Sequence, residues 1–254
     1  MGFGKNPNVT GIISSNWTDT GANSSVQRYY KIAAVRGNAE KTSFEVVGKY
    51  STKLGYRNSS VTDWNFISIP LNITKWELYN GTNDGYDLVV NPPNCVRSIW
   101  RYNSSYGWER TNYNGSTWQP ATPSDENFTR LEPLVGYWFE TNNSCTLSFA
   151  GQIPTENRTR DLATVWSVTG WYTPVNLTLG EDTEFNPLYV VPADSIQEID
   201  RYNYETREFE VTVHYPGYGW WPAWNNQNFR SIDPIRGYYF RMEPNAVWYH
   251  DPQT

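Results

Sequence analysis

The chain has 254 residues, enough for one large domain or two to three small ones, and its apolar content leans on 13 Trp, 19 Tyr and 10 Phe. A net charge of −6 with no run of Lys and Arg excludes an electropositive nucleic-acid groove or an anionic-membrane patch. No apolar stretch approaches the ~18 residues of a transmembrane helix, and no long window repeats apolar residues at helical spacing, so the expected fold class is all-β.

In chain order, the opening MGFGKNPNVTG lacks the apolar core of a signal peptide, so a secreted chain of this kind implies a leader or longer N-terminal part already removed. Next comes NWTDTGANSSVQRYYKIAAVRGNAEKTSFEVVGKY, with a TDTG turn, a YYKIAAV strand and a closing FEVVGKY strand. On these features the stretch resembles the second half of a fibronectin type III domain. The resemblance implies that residues 1–52 form a partial sandwich. Half a sandwich exposes sheet edges and apolar face, so more chain or a neighbouring molecule must supply the missing strands.

Beyond it the sequence duplicates. Leu131–Glu140 reads LEPLVGYWFE and Ile232–Arg241 reads IDPIRGYYFR. Arg101-Tyr102-Asn103 likewise matches Arg201-Tyr202-Asn203, and Asn127-Phe128 matches Asn228-Phe229. Pro70-Leu71-Asn72-Ile73-Thr74 matches Pro174-Val175-Asn176-Leu177-Thr178, and the offset stays between 100 and 104 throughout. Two copies of one β module are expected over residues 53–153 and 162–254, too few and too long for a solenoid. REFEVTV alternates, with Phe209, Val211 and Val213 on one face. Each Pro-x-x-Gly is a turn, Gly permitting positive φ or close backbone approach. The turn and the GYWF or GYYF strand after it are expected to close the core of a small sandwich or barrel.

WNFISIPLN, SIWRYN with a following Trp, and LEPLVGYWFE resemble a β module of exported archaeal and bacterial surface proteins, where it often follows fibronectin type III domains. The resemblance covers both copies, the second departing further with TGWYTPVN. It implies a surface-layer, sheath, filament or adhesion role and offers no catalytic residues to carry over.

Two cysteines, Cys95 and Cys145, fit an oxidising compartment. Cys145 shares a strand face with Leu147 and Phe149, and Cys95 precedes the VRSIWRY strand of the same copy, so a bridge within copy 1 is expected, with two separate buried thiols as the alternative. Their spacing provides no metal or haem motif. The only histidines, His214 and His250, form no triad with Ser or Cys, and each reads as an exposed residue at a strand end. Carboxylates at Asp125-Glu126 and at Glu181, Asp182 and Glu184 read as solvated loop charges. No enzyme, cofactor or metal is expected. Calcium at NGTNDGYD (Asn80–Asp87) is a lesser candidate, since Asn91 stands where a closing Glu belongs.

Sequons carry the strongest compositional signal. They stand at Asn8, Asn16, Asn23, Asn58, Asn72 and Asn80, and again at Asn103, Asn114, Asn127, Asn142, Asn157 and Asn176. That is 12 of 26 Asn, against about four expected by chance, and a used sequon requires an exposed secreted surface. The six Asn after Asn176 form none, so residues 177–254 are expected to keep one face free of glycans. There the text YPGYGWWPAW crowds Tyr218, Trp220, Trp221 and Trp224 into a turn-rich loop, and Trp248 and Tyr249 follow near the C-terminus. Such rings suit a subunit interface or a sugar platform. The expectation is an extracellular, glycosylated structural subunit of a cell-surface layer, sheath or filament, assembling with itself or with other envelope proteins. The alternative is a carbohydrate-binding or adhesion module that holds a polysaccharide.

Overall fold

Trp, Tyr, Val and Thr fit the pleated, half-buried surface of a sheet, and strands are what form. The computed structural model describes residues 28–30, 33–36, 39–42, 47–55, 63–73, 88–92, 94–115, 118–120, 128, 130–179, 188–222 and 229–251, and no helix occurs among them. The N-terminal part gives β1 (Arg28–Tyr30) and the paired strands β2 (Ala33–Arg36) and β3 (Ala39–Thr42). Copy 1 begins with β4 (Val47–Leu54), β5 (Asp63–Ile67), β6 (Leu88–Asn91) and β7 (Val96–Asn103). It continues with β8 (Gly107–Tyr113), β9 (Trp118–Pro120), β10 (Tyr137–Thr141) and β11 (Cys145–Gln152). Copy 2 opens with β12 (Arg158–Leu162), β13 (Val165–Gly170), β14 (Leu177–Thr178), β15 (Val190–Val191) and β16 (Ile196–Asn203). It ends with β17 (Glu208–Tyr215), β18 (Gly219–Pro222), β19 (Ser231–Ile232), β20 (Gly237–Met242) and β21 (Ala246–His250).

Both copies have the same two layers. A five-stranded antiparallel sheet runs β5-β10-β7-β8-β9 in copy 1 and β13-β20-β16-β17-β18 in copy 2. It packs on a smaller sheet, β1-β4-β11-β6 in copy 1 and β12-β21-β15 in copy 2. The expected boundary at residue 52 falls inside β4, which pairs along its whole length with β11, from Val47↔Gln152 to Leu54↔Cys145. FEVVGKY therefore ends in a strand of copy 1, and β12, its counterpart in copy 2, starts before the expected residue 162. The GYWF and GYYF strands also differ from expectation. β10 lies between β5 and β7, and β20 between β13 and β16, so each is an interior strand and the chain's last strand in each copy is in the other layer. Cys95 and Cys145 are bonded, tying the start of β7 to β11 with Cα atoms 6.2 Å apart. Ser195 and Ala246 hold the matching positions in copy 2 and are buried without a bridge.

The repeated Arg, Phe, Pro, Gly and Tyr form one device in each copy. Arg101 donates from Nε to Glu109 at 2.6 Å and from Nη1 to Glu132 at 2.7 Å, with its guanidinium 4.5 Å above Phe128. Arg201 bonds Glu210 and Asp233 in the same way, 4.3 Å above Phe229. The phenol oxygens of Tyr137 and Tyr238 accept the backbone N–H of Glu132 (2.5 Å) and Asp233 (2.6 Å), and burial pushes both phenols well above their ordinary pKa. So clamped, each acidic residue holds the Pro-x-x-Gly turn that follows it.

The turns reach across to the opposite copy. Leu134 and Ile235, just after the prolines, adopt left-handed φ values of 61° and 71°, a conformation that costs a non-glycine residue about 1–3 kcal/mol. Leu134 is buried among copy 2 core residues such as Trp171, Tyr172 and Phe240, and Ile235 among copy 1 residues such as Ile67, Val135 and Tyr137. The exchange is reciprocal in the backbone as well: Ser68 N donates to Ile235 O and Gly170 N to Leu134 O, each at 2.9 Å. Gly136 serves the close approach rather than positive φ, since a Cβ there would stand 2.5 Å from Thr169 O; at Gly170 it would stand 2.4 Å from Val135 O. Thr169 Oγ1 and Arg160 also donate to Leu134 O. The C-terminal ends of the edge strands β5 and β13 are thereby covered by the partner copy's turn.

Because Ile235 fills the core of copy 1, Ile235→Ala is expected to destabilise the chain by about 2–4 kcal/mol. Hydrogen exchange should speed up at β5 and β10, remote in sequence. The check is urea unfolding with peptide-resolved exchange.

Candidate functional site

The strand pleat sorts the aromatic residues that the sequence groups together. Trp220 and Trp248 are each 1% exposed and belong to the copy 2 core, so the interface or sugar-platform role expected of them is corrected. Successive residues of a strand face opposite sides, which buries Trp220 against His214 and leaves Trp221 outside, 40% exposed. Tyr218 is 69% exposed, and Trp221 Nε1 donates to its carbonyl at 2.9 Å. Tyr249 stands in solvent beside Tyr189, ring centres 5.1 Å apart, a neighbour that sequence reasoning missed. Trp224 lies outside the described residues. So do the NGTNDGYD stretch, both carboxylate groups singled out above, and the sequons at Asn8, Asn16, Asn23, Asn58, Asn80 and Asn127.

The described sequon asparagines all reach the surface: Asn114, Asn142, Asn157 and Asn176 are exposed, Asn72 and Asn103 half-buried. Asn65, which belongs to no sequon, is buried, with its Oδ1 accepting Gly55 N at 2.8 Å. His250 departs from expectation. It is 2% exposed, stacked on Trp171 (4.6 Å) and Trp248 (5.3 Å), and burial lowers its pKa to about 4. His214 is half-buried, its pKa also lowered by burial. Among the described residues, no three His, Cys, Asp or Glu side chains group as metal ligands.

The candidate site arises where the two copies meet. REFEVTV alternates as read, but Thr212 is the buried residue, while Phe209, Val211 and Val213 face away from their own core. That outward face is aromatic in both copies. Trp64, Phe66, Trp100, Tyr102, Trp108 and Trp138 in copy 1 occupy the positions of Trp166, Val168, Asp200, Tyr202, Phe209 and Tyr239 in copy 2. The faces join at an approximate twofold axis, where Trp138 Nε1 donates to Tyr239 OH at 2.9 Å.

One half of this junction is closed. Trp138 packs edge-on against Tyr202 (5.0 Å) and Phe209 (6.2 Å). The four-residue turn Tyr204–Arg207 brings Arg207 to Asp63 at 2.6 Å and sets the Tyr204 ring against Gly55. The other half is open. Its turn, Ser104–Tyr106, is one residue shorter, Val165 stands where Asp63 would, and Tyr239 and Asp200 replace the larger Trp138 and Trp100. A groove of about 570 Å³ remains, walled by Tyr102 and Trp108 from copy 1 and by Val165, Trp166, Phe209 and Tyr239 from copy 2. Asp200 also lines it, with Oδ1 buried and without a hydrogen-bond partner; burial and the adjacent Glu198 push its pKa up to about 7. A second groove of about 590 Å³ is polar and lined by three arginines: Arg101 is held by Glu109 and Glu132, Arg160 by the carbonyls of Leu134 and Val168, and Arg158 reaches Glu156 at 3.8 Å while its Nε is buried without a hydrogen-bond partner.

No protein-family model, curated protein or solved structure matches this chain.

Trp220→Ala and Trp248→Ala are each expected to cost about 3–5 kcal/mol in denaturant unfolding, whereas Trp221→Ala should stay within about 1 kcal/mol. The buried His250 and the half-buried Asp200 oppose one another with pH. His250 takes its proton only near pH 4 when folded, but near 6.5 when unfolded; its contribution is complete above pH 6.5 and is lost as pH falls towards 4. Asp200 keeps its proton to about pH 7 when folded, so its contribution is lost as pH rises from about 4 through 7. Compared with the parent, His250→Phe should therefore gain stability on acidification from pH 7 to 4.5, and Asp200→Asn should lose it. Urea midpoints at the two pH values test both signs.

Proposed function

We propose that this chain is an extracellular, N-glycosylated structural subunit of a cell-surface layer, sheath or filament, assembling through β-strand and aromatic contacts. The observation that carries this reading is a contrast along the chain. Twelve sequons precede residue 177 and none follows it, and in that later part Tyr189, Val191, Tyr215, Tyr218, Trp221 and Tyr249 are exposed. Sugars on the earlier segments would keep those surfaces solvated and leave the rings of copy 2 to meet a neighbour. Tyr and Trp are the side chains that most often anchor such contacts.

The strand part of the reading has its own support. In copy 1 the outer edge of β4 pairs with β1, from Arg28↔Lys49 to Tyr30↔Val47. In copy 2 the same edge, on β12, has no strand beside it among the described residues. A strand of a neighbouring subunit could add there by main-chain hydrogen bonds, with the exposed Thr159 and Asp161 restricting which strand is accepted. The disulfide suits the oxidising setting this role requires.

Negative-stain electron microscopy of glycosylated protein is expected to show ordered filaments, tubes or sheets, and a Tyr218→Ala/Trp221→Ala double variant to show dispersed particles under the same conditions. Dispersed particles from the parent would contradict the reading.

A further inference from the structure

We infer that the open groove between the two copies is a saccharide-binding site, which holds a neutral pyranose ring against the aromatic walls formed by Tyr102 and Trp108 on one side and Trp166, Phe209 and Tyr239 on the other. The site is independent of the assembly reading and lies away from the Tyr218–Trp221 loop.

Three observations converge on it. The groove is the unclosed half of an interface whose other half is filled by the Trp138 indole packed on Tyr202 and Phe209, so its walls are shaped to take a flat, ring-sized body. Several of its rings remain in solvent: Trp108 is 42%, Phe209 43% and Trp166 36% exposed. Asp200 Oδ1 is buried in the lining and lacks a donor, which leaving water should make costly.

Together these features select the ligand's chemistry. A pyranose presents an apolar C–H face that packs on aromatic rings and hydroxyl donors that suit an unpartnered carboxyl oxygen. A fixed cation fits less well, because Glu198, two residues from Asp200 on the same strand, already lies 3.4 Å from Arg241. A peptide adding as a strand finds no free backbone along β7, β8, β16, β17 or β20, which are paired on both sides; the remaining wall strand, β13, is an edge that the Leu134 turn meets at Gly170. Among the described residues no sequon asparagine lines this groove, and Asn103 and Asn157 line the polar groove instead.

The test uses the full chain made without glycans, titrated calorimetrically with neutral hexose and N-acetylhexosamine trisaccharides, and with tetramethylammonium as the cationic comparison. At least one trisaccharide should bind saturably. Trp108→Ala and Trp166→Ala should each weaken it about tenfold, Asp200→Leu should do the same, and Asp200→Asn, which keeps an acceptor, should remain within about threefold. Trp221→Ala should leave binding unchanged. Because Trp108 and Trp166 are solvent-facing, circular dichroism should show both variants folded. No saturable binding by any of the trisaccharides would overturn the inference, as would binding indifferent to Trp108 and Trp166. Binding of tetramethylammonium alone, abolished by Asp200→Asn, would replace it with a cation site.

Discussion

The structure depends on an exchange of two side chains. Leu134 and Ile235 each sit in a turn of one copy and a core of the other. Burying such a side chain stabilises by about 1.5–3 kcal/mol, similar to what its left-handed backbone costs. The backbone bonds from Ser68 and Gly170 add to the favourable side. Neither half of the bargain works alone. A single copy would keep the strained turn, lose the burial that offsets it, and leave a hole where the partner's residue belongs. The Arg–Phe–Tyr clamps explain why the turn stays strained: with Arg101 fixed to Glu109 and Glu132, and Arg201 to Glu210 and Asp233, the segment entering each turn has little freedom to relax.

That exchange fixes the copies about an approximate twofold axis, and the groove arises where the copies depart from that symmetry. One extra turn residue allows Arg207 to reach Asp63 and shut one side. On the other side a shorter turn, and Tyr and Asp in place of two Trp, leave aromatic walls with nothing between them. The same sequence divergence that separates the copies thus creates a concavity that two identical modules would not have.

Much of this was legible in the sequence. The strand-forming composition gave the class, and matched Arg, Phe, Pro, Gly and Tyr gave the duplication, because both are local properties of the chain. The Cys145, Leu147, Phe149 face followed from period two and is buried as read. Even the broken symmetry left a trace: the offset between copies is 100 at Asn103/Asn203 and 101 at Phe128/Phe229, marking the residue inserted in the β16–β17 turn. What stayed hidden was non-local. FEVVGKY looked like the end of a separate domain because its partner β11 lies far along the chain. An apolar residue in a Pro-x-x-Gly turn looked like filling for its own module. Trp220 and Trp221 are adjacent and equally apolar, so only the register of β18 on β17 decides which one is buried. His250 looked exposed from its place near the C-terminus, yet β21 runs between two other strands and takes it into the core.

The central claim is that the two copies fold as one cooperative unit because each completes the other's core. Native-state hydrogen exchange followed by mass spectrometry across a denaturant series measures this directly, comparing peptides from β10–β11 with peptides from β20–β21. The account predicts that the slowest amides of both copies open with the same free energy and the same denaturant dependence. Two distinct opening free energies, with one copy remaining protected while the other exchanges, would contradict it.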